Sequence, residues 1–295
     1  MAISLQRTAL GPTLALTLNA FVWGVSWWPF RLLEARGLHP LWATVLIYLL
    51  AMLAITLWRP QAWGQLLRAP VLWVLVLASG MTNAAFNWAV TIGDVVRVVL
   101  LFYLMPLWAV LLARALLGER LTLQAGVRVA LALAGAAIVL WPEQGDSGAW
   151  PLPRTLAEGL GVIGGFSFAL NNVMLKREAR RPEAARALAM FTGGALVALL
   201  LALALGEGGA VPWPPAPAPG WMLGALAMGG LFLAGNLALQ YGAARLSANA
   251  TAVIMITEVL FASASAITLG AGVLTPRLAA GGLLIVLASV LAARE

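Results

Sequence analysis

Long apolar segments recur from one end of the chain to the other, and short polar connections separate them. Each segment approaches the roughly 20 apolar residues that a helix needs to cross the hydrocarbon core of a bilayer. Closed β-barrels also span membranes, but they are built from short strands of alternating polarity, whereas these runs are continuous. The pattern therefore predicts ten transmembrane helices, at Pro12–Phe30, Leu41–Trp58, Val71–Ile92, Val98–Leu117, Leu123–Trp141, Leu156–Leu175, Ala185–Leu205, Trp221–Tyr241, Leu246–Leu269 and Leu278–Ala292.

Composition supports an all-α integral membrane protein whose immediate partner is the lipid bilayer. The chain is 62% hydrophobic and only 10% charged, whereas soluble domains carry roughly 25% charged residues. The net charge of +7 does not indicate nucleic acid binding, because the basic residues stand between apolar runs and form no stripe. The absence of cysteine excludes disulfides and thiolate metal sites. No cofactor or metal is expected.

The Lys and Arg residues predict the orientation, because basic loops tend to stay in the cytoplasm. Counted on alternate sides of the predicted helices, thirteen lie on one side and five on the other. The segment from Lys176 to Arg186 contributes most to this difference. We therefore expect a multi-pass protein of the bacterial inner (cytoplasmic) membrane with both termini in the cytoplasm.

The two halves of the chain resemble each other. An offset of 153 positions pairs Leu121 with Leu274, and an offset of 149 pairs Asn87 with Asn236. With five helices in each half, the second half enters the membrane inverted, and proteins of this plan place a central cavity near the midplane. The predicted repeats are residues 1–146 and residues 147–295.

Polar side chains recur on shared faces of the predicted helices. Ser79, Asn83, Asn87 and Thr91 are spaced by four on the third helix, and Asn236 and Gln240 are four apart on the eighth. Together with Asn171 on the sixth helix, these positions predict a common polar cavity. The alternative is interhelical hydrogen bonding, which contributes about 0.6 kcal/mol per bond in membrane bundles.

Three further features bear on the predicted cavity. Glu258 lies near the middle of the ninth helix, where it is a candidate for binding an ammonium group or a proton, or for a purely structural hydrogen bond. Pro106 is a candidate hinge in the fourth helix, the alternative being a static kink. The aromatic residues Trp23, Trp27, Tyr103 and Phe168 are candidate walls, although aromatic side chains in membrane helices also serve packing alone.

Charged groups in the connections are predicted to have surface roles. His39, the single histidine, stands beside Pro40 and is expected to be a solvated loop residue. Asp94 and Arg97 are three apart and are expected to form a surface pair of small energetic value.

Several motifs resemble a known transporter family. Residues 118–122 (GERLT), which follow Tyr103-Leu104-Met105-Pro106, resemble the fourth-helix pattern of EamA-type drug/metabolite transporters. Residues 167–172 (SFALNN) with Lys176-Arg177 resemble that family's sixth helix, and Ala243–Ala262 resembles its ninth. Within the family, the tyrosine-proline segment and the aromatic-rich first helix are most similar to those of bacterial aromatic amino acid exporters.

The resemblance implies a basket of ten helices with a cavity lined by helices 1, 3, 4, 6, 8 and 9. It implies export of amino acids, with aromatic or other large hydrophobic ones as the expected small-molecule substrates, and a proton is one candidate coupling ion. A monomer is expected. The chain departs from the family where Glu258 is followed by Val259 instead of proline.

Two other classes of function compete with this expectation. A permease for other amphipathic drugs or cations would share the same architecture. An intramembrane enzyme would need clustered His, Cys, Asp or Glu near one membrane face, and the sequence has no such cluster. ATP-driven transport is unsupported, since the chain has no Gly-x4-Gly-Lys-Ser/Thr loop.

Overall fold

A computed structural model describes residues 2–118, 122–141, 152–243, 245 and 254–292. Within these ranges, the side chains of residues 2–9, 106, 240, 243, 289 and 292 are not described. Every regular element in the described part is a helix: α1 (Ala2–Val25), α2 (Trp27–Glu34), α3 (Pro40–Trp58), α4 (Gln61–Leu67), α5 (Val71–Ile92), α6 (Val95–Phe102), α7 (Met105–Leu117), α8 (Leu123–Val139), α9 (Leu156–Arg177), α10 (Glu183–Glu207), α11 (Pro219–Ala243), α12 (Thr257–Thr268) and α13 (Pro276–Ala292).

The described helices fit an integral membrane protein. Five helical segments of the described part are long and apolar enough to cross a bilayer, namely Pro40–Trp58, Val71–Ile92, Val95–Leu117 (α6 and α7 together), Glu183–Glu207 and Pro219–Leu239. Two shorter apolar helices, Leu123–Val139 and Pro276–Ala288, accompany them. Spanning by all ten predicted segments stays a prediction, as does the division into two inverted repeats, whose boundary at residue 146 lies outside the described residues.

Several of the predicted helices are interrupted. The first segment bends at Ser26, whose hydroxyl donates to the carbonyl of Trp23 at 2.8 Å. The fourth segment is broken by a turn at Tyr103 and Leu104, and Pro106 lies in the first turn of the helix that follows. Proline is tolerated there because its missing N–H would have had no intrahelical partner. Another turn, at Ile256, precedes α12 and lies 153 positions after Tyr103, which is one of the offsets between the two halves.

Glycines allow the central helices to cross at very short distances. A Cβ atom on Gly193 of α10 would lie 2.0 Å from the carbonyl oxygen of Val76 on α5, and one on Gly80 would lie 2.4 Å from the Gly193 carbonyl oxygen. Gly135 of α8 and Gly281 of α13 approach each other's carbonyl oxygens in the same way, at 2.6 and 2.7 Å. Small residues at such crossings are how apolar helices pack closely within a membrane.

Helix packing is equivalent in the two halves of the chain. When each of the first five predicted spans is matched with its counterpart among the last five, the two helices have corresponding neighbours. α5 packs against α9 as α1 packs against α11, and α5 packs against α10 as α3 packs against α11. α8 and α13 pack against each other away from these contacts. The arrangement leaves a space between α1, α3, α5, α9, α10, α11 and α12.

Candidate functional site

A cavity of about 110 Å³ occupies the centre of the bundle. Its polar wall is formed by Asn19, Tyr48, Ser79, Thr82, Asn83, Asn171, Asn236 and Glu258. Its apolar wall is formed by Trp23, Phe86, Phe102, Phe168, Met190, Phe191, Phe232, Leu239 and Met255.

One side of the cavity, between α3, α5 and α10, is an internally bonded network. The Tyr48 hydroxyl donates to Asn83 Oδ1, and Asn83 Nδ2 donates to the Ser79 carbonyl oxygen at 2.7 Å. The Ser79 hydroxyl donates to the Met190 carbonyl oxygen at 3.1 Å. Gly194 admits the Tyr48 ring, since a Cβ there would lie 2.1 Å from Tyr48 Cδ1. The donors of this network are therefore already used.

The opposite side holds the buried carboxyl group of Glu258, in the first turn of α12. The Tyr103 hydroxyl lies 3.2 Å from Glu258 Oε2 and 3.3 Å from the Met255 carbonyl oxygen. Asn19 Nδ2 lies 3.5 Å from the Met255 sulfur. Gly24 brings α1 close, because a Cβ there would be 2.8 Å from the Glu258 carbonyl oxygen. These contacts gather α1, the turn at Tyr103 and α12 around the carboxyl group.

Aromatic rings close the rest of the cavity. Trp23 meets Phe232 edge-on with ring centroids 4.5 Å apart. Phe102 contacts Phe86 at 4.8 Å and Phe168 at 5.3 Å. Such ring pairs contribute about 0.5–1.5 kcal/mol beyond area burial, so the rings of these walls stabilise one another.

Six of the residues predicted from the sequence line this cavity: Trp23, Asn83, Phe168, Asn171, Asn236 and Glu258. Three others lie behind its wall and make structural contacts. Trp27 donates to the Ser265 hydroxyl at 3.0 Å, Asn87 donates to the Thr44 hydroxyl at 3.0 Å, and Tyr103 contacts Glu258. The side chains of Gln240 and of the predicted hinge Pro106 lie outside the described residues, so the proposed roles of these two residues stay predictions.

Sequence reasoning missed the contribution of the second and seventh predicted helices. Tyr48 from α3 and Met190 and Phe191 from α10 line the cavity, although the resemblance implied walls from other helices. One signal was available for Tyr48, because a hydroxyl inside an otherwise apolar span needs a partner. Phe191 gives no such signal, since phenylalanine in a membrane helix suits lipid as well as a cavity.

A second cavity, here called the vestibule, adjoins the central one. It is lined by Arg59, Gln65, Pro182 and Glu183 at one end of the bundle, and Phe191 and Asn236 line both cavities. The central cavity therefore adjoins a wider space on the side where α3 ends and α10 begins.

The other end of the bundle, here called the closed end, is held together by polar contacts between elements distant in sequence. Arg31 donates to the carbonyl oxygens of Val90, at 3.2 Å, and of Gly93. The backbone N–H of Val95 donates to the Ala271 carbonyl oxygen at 3.2 Å, which joins the start of α6 to the connection before α13.

The prediction that Asp94 and Arg97 form a surface pair is wrong, because the side chain of each has another partner at the closed end. Asp94 caps α6 by accepting from the backbone N–H of Arg97, and it also accepts from that of Val273 at 3.1 Å. Arg97 pairs with the buried Glu158 of α9, with Nε and Oε1 2.8 Å apart. Glu158 also completes the capping box of α9 with Thr155.

His39 is buried and is not the solvated loop residue that the sequence predicted. Its Nδ1 accepts from the backbone N–H of Leu41 at 3.2 Å and so caps α3. Its ring lies edge-on to Trp88 with centroids 5.2 Å apart. Burial lowers the pKa of His39, because the charged form loses hydration.

Among the described residues, no group of three or more His, Cys, Asp or Glu side chains could hold a metal ion. A helical bundle with apolar spans fits a multi-pass membrane protein, and its central cavity walled by aromatic rings is the candidate site for a small molecule. Residues 11–141 match the EamA-like transporter family. This match supports a relationship of the chain to the drug/metabolite transporter superfamily. The EamA members of that superfamily are transporters and not enzymes.

One crystal structure of a protein has a fold similar to that of this chain. It aligns with a TM-score of 0.56 and 21% sequence identity over 95% of this chain and 96% of that chain. At this identity the likeness concerns the fold alone. No curated protein matches the sequence.

Proposed function

We propose that this chain is a secondary transporter that exports amino acids, aromatic and other large hydrophobic ones first, through the central cavity. The observation that carries the proposal is the cavity itself, buried among apolar helices and walled by Trp23, Phe102 and Phe168. Aromatic walls favour solutes with large apolar side chains, and the amides and carboxyl group offer hydrogen bonds to their polar ends.

Alternating access is the mechanism that we propose. The vestibule adjoins the cavity at one end, and the contacts of Arg31, Asp94 and Arg97 join distant elements at the other. The equivalent helix contacts in the two halves, and the turns at Tyr103 and Ile256, support an inverted repeat, the plan on which such transporters alternate. Opening the closed end would require these polar contacts to part while the vestibule closes.

The distribution of basic residues supports one orientation in the membrane. We infer that the protein resides in the bacterial inner membrane, with both termini and the vestibule facing the cytoplasm. The vestibule residue Arg59 belongs to the side with more basic residues, whereas Arg31 and Arg97 belong to the other.

One observation favours a second candidate, a permease for other amphipathic drugs or cations. Glu258 gives the cavity a carboxyl group, and a cation would neutralise its charge in a region where an unpaired charge is costly. Competition assays separate the two candidates, because a carrier restricted to cations would ignore zwitterions.

Purified protein in liposomes tests the proposal directly. We expect saturable flux of phenylalanine that tryptophan competes for, and a flux that depends on an imposed pH gradient if Glu258 carries the coupling proton. In Glu258→Gln this dependence should disappear, whereas Glu34→Gln, outside the cavity, should keep it.

Linear leak for every amphipathic amino acid would contradict the transport of amino acids. Unchanged pH dependence in Glu258→Gln would remove this residue from coupling while leaving the transport proposal in place.

A further inference from the structure

Two side chains of opposite charge line the mouth of the vestibule, where α3 ends and α10 begins. Arg59 directly follows α3, and Glu183 is the first residue of α10. Both residues are exposed, and neither forms an ion pair with another residue that the structure describes. The Arg59 guanidinium lies over the Trp58 ring, 5.1 Å from its centroid. The mouth therefore offers one cation and one anion to a solute.

The walls of the vestibule become apolar between its mouth and the central cavity. On α10 the lining residues Glu183, Ala187 and Phe191 are spaced by four, so they follow one face of the helix. Eight residues of helix span about 12 Å. On α3, Ile55 lies one turn before Arg59 and lines the same space. The vestibule thus has charges at one end and an apolar surface that leads inward.

A third wall of the vestibule comes from α11. Leu233 and Leu237 line the vestibule, and Asn236 lines both cavities. Since α3 packs against both α10 and α11, the three helices form one continuous lining. The vestibule measures about 480 Å³ and the central cavity about 110 Å³. A solute that arrives from this end therefore enters the larger space first.

The central cavity has a different distribution of charge. Glu258 is the one carboxyl group among its described lining residues, and no Lys, Arg or His is among them. The carboxylate of an amino acid would therefore meet no cationic side chain at these walls, whereas the vestibule supplies Arg59. A guanidinium group has the planar, forked donors that match a carboxylate.

We propose that the vestibule is an entry site, which binds an apolar amino acid as its zwitterion before the solute reaches the central cavity. Arg59 binds the carboxylate, Glu183 accepts hydrogen bonds from the ammonium group, and the side chain lies along Ala187 towards Phe191. This inference rests on the function proposed above and identifies where the substrate is first recognised. Opposite charges at the mouth select a solute that carries both charges, because charge complementarity confers specificity.

Binding at the entry site is expected to be weak. Arg59 and Glu183 are exposed, and ion pairs in water-facing positions contribute little because water screens them. Weak binding suits an entry site, since the solute must leave it to reach the central cavity. Removing one of the two charges should therefore lower the affinity by about fivefold without abolishing binding.

Equilibrium binding to the purified chain in nanodiscs at pH 7 tests the proposal with three ligands that share a phenyl ring. Phenylalanine carries both charges, phenethylamine carries only the ammonium group, and 3-phenylpropionate carries only the carboxylate. We expect phenylalanine to bind about fivefold more tightly than either of the others. The same order is expected in Glu258→Gln, in which the central cavity has no carboxyl group.

Charge variants assign each end of the ligand to one residue. Arg59→Gln should weaken binding of phenylalanine and 3-phenylpropionate by about fivefold and leave that of phenethylamine unchanged. Glu183→Gln should weaken binding of phenylalanine and phenethylamine and leave that of 3-phenylpropionate unchanged. Arg68→Gln and Glu207→Gln, whose side chains lie outside the vestibule, should bind all three ligands as the unmodified chain does.

A steric variant tests the apolar wall. Ala187→Trp places a large ring on the vestibule face of α10 and should abolish phenylalanine binding. Ala204→Trp, at an exposed position of the same helix, is the matched control and should bind normally. Thermal unfolding of each variant verifies that it is folded.

Four outcomes would overturn the entry site. They are unchanged phenylalanine binding in folded Arg59→Gln and Glu183→Gln, an equal loss for all three ligands in both variants, unchanged binding in folded Ala187→Trp, and loss of phenylalanine binding in folded Glu258→Gln. Absence of binding by all three ligands would overturn it as well. Liposome flux is measured separately, so saturable phenylalanine flux would leave the proposed transport in place if the entry site fails.

Discussion

Single polar side chains in this bundle differ in whether they reach the central cavity. Asn83 and Asn87 are four apart on one face of α5, yet Asn83 lines the cavity and Asn87 is fully buried against Thr44. Asn87 and Asn171 each keep an amide oxygen without a partner among the described residues, but only Asn171 lines the cavity. Position relative to the cavity, and not the presence of a polar residue in an apolar helix, therefore distinguishes a candidate ligand from a structural residue.

His39 provides a pH-dependent prediction at the residue scale. Its pKa is lowered by burial, so the folded chain binds the proton less readily than the unfolded chain, whose histidine titrates near about 6.5. The contribution of His39 to the free energy of unfolding should therefore be fully present above that pH. It should be lost as the pH falls from there through the lowered pKa of the folded state.

Thermal unfolding at a series of pH values from 8 to 5 tests this in the purified protein. His39→Asn retains a capping acceptor but lacks the titration. We expect the Tm of the unmodified chain to decline relative to that of His39→Asn as the pH falls. A constant difference in Tm between the unmodified chain and His39→Asn across the pH series would show that His39 does not contribute to the pH dependence.

At the scale of helices, glycine crossings set the distances between the elements that surround the cavity. Gly193→Ala places a Cβ 2.0 Å from the Val76 carbonyl oxygen, so α5 and α10 must move apart. Overpacking of this kind costs about 1–3 kcal/mol. We expect a lower Tm and weaker substrate binding, because Asn83 and Phe191 lie on these two helices.

Gly230→Ala is the matched control, since a Cβ on Gly230 of α11 meets nothing within 4 Å. It should leave the Tm unchanged or slightly higher, in keeping with the better helix propensity of alanine. Equal Tm values for the two variants would contradict the close crossing of α5 and α10.

Helix positions could be predicted from the sequence much better than contacts between helices. The predicted segment Val71–Ile92 coincides with α5, because hydropathy and length are local properties. The short α4 was not predicted. The partner of Arg97 could not be predicted either, since Glu158 is 61 positions away and only the packing of α6 on α9 joins them.

The candidate site could be predicted only in part, for the same reason. Glu258 and Asn171 stand out as polar groups in apolar segments, and both line the cavity. Tyr48 reaches it because Gly194 on another helix leaves room for its ring. Burial of His39 depends on Trp88 from α5, which the local pattern beside Pro40 does not reveal.

In the whole molecule, the central cavity lies between the vestibule at one end and the polar contacts of the closed end. Residues 11–141 match the EamA-like transporter family. The two ends of the bundle differ in that polar contacts join distant elements at the closed end and the vestibule lies at the other. Everything that we propose about substrates depends on the cavity being the path of the solute.

Modification of the cavity wall tests that claim most directly. The chain contains no cysteine, so Thr82→Cys places a single thiol at the cavity. Phenylalanine flux into liposomes is measured before and after reaction with a membrane-impermeant, positively charged thiol reagent. We expect saturable flux that the reagent abolishes and that excess substrate protects, while the cysteine-free chain is unaffected. Saturable flux that persists after complete labelling of Thr82→Cys would show that solutes cross by another route.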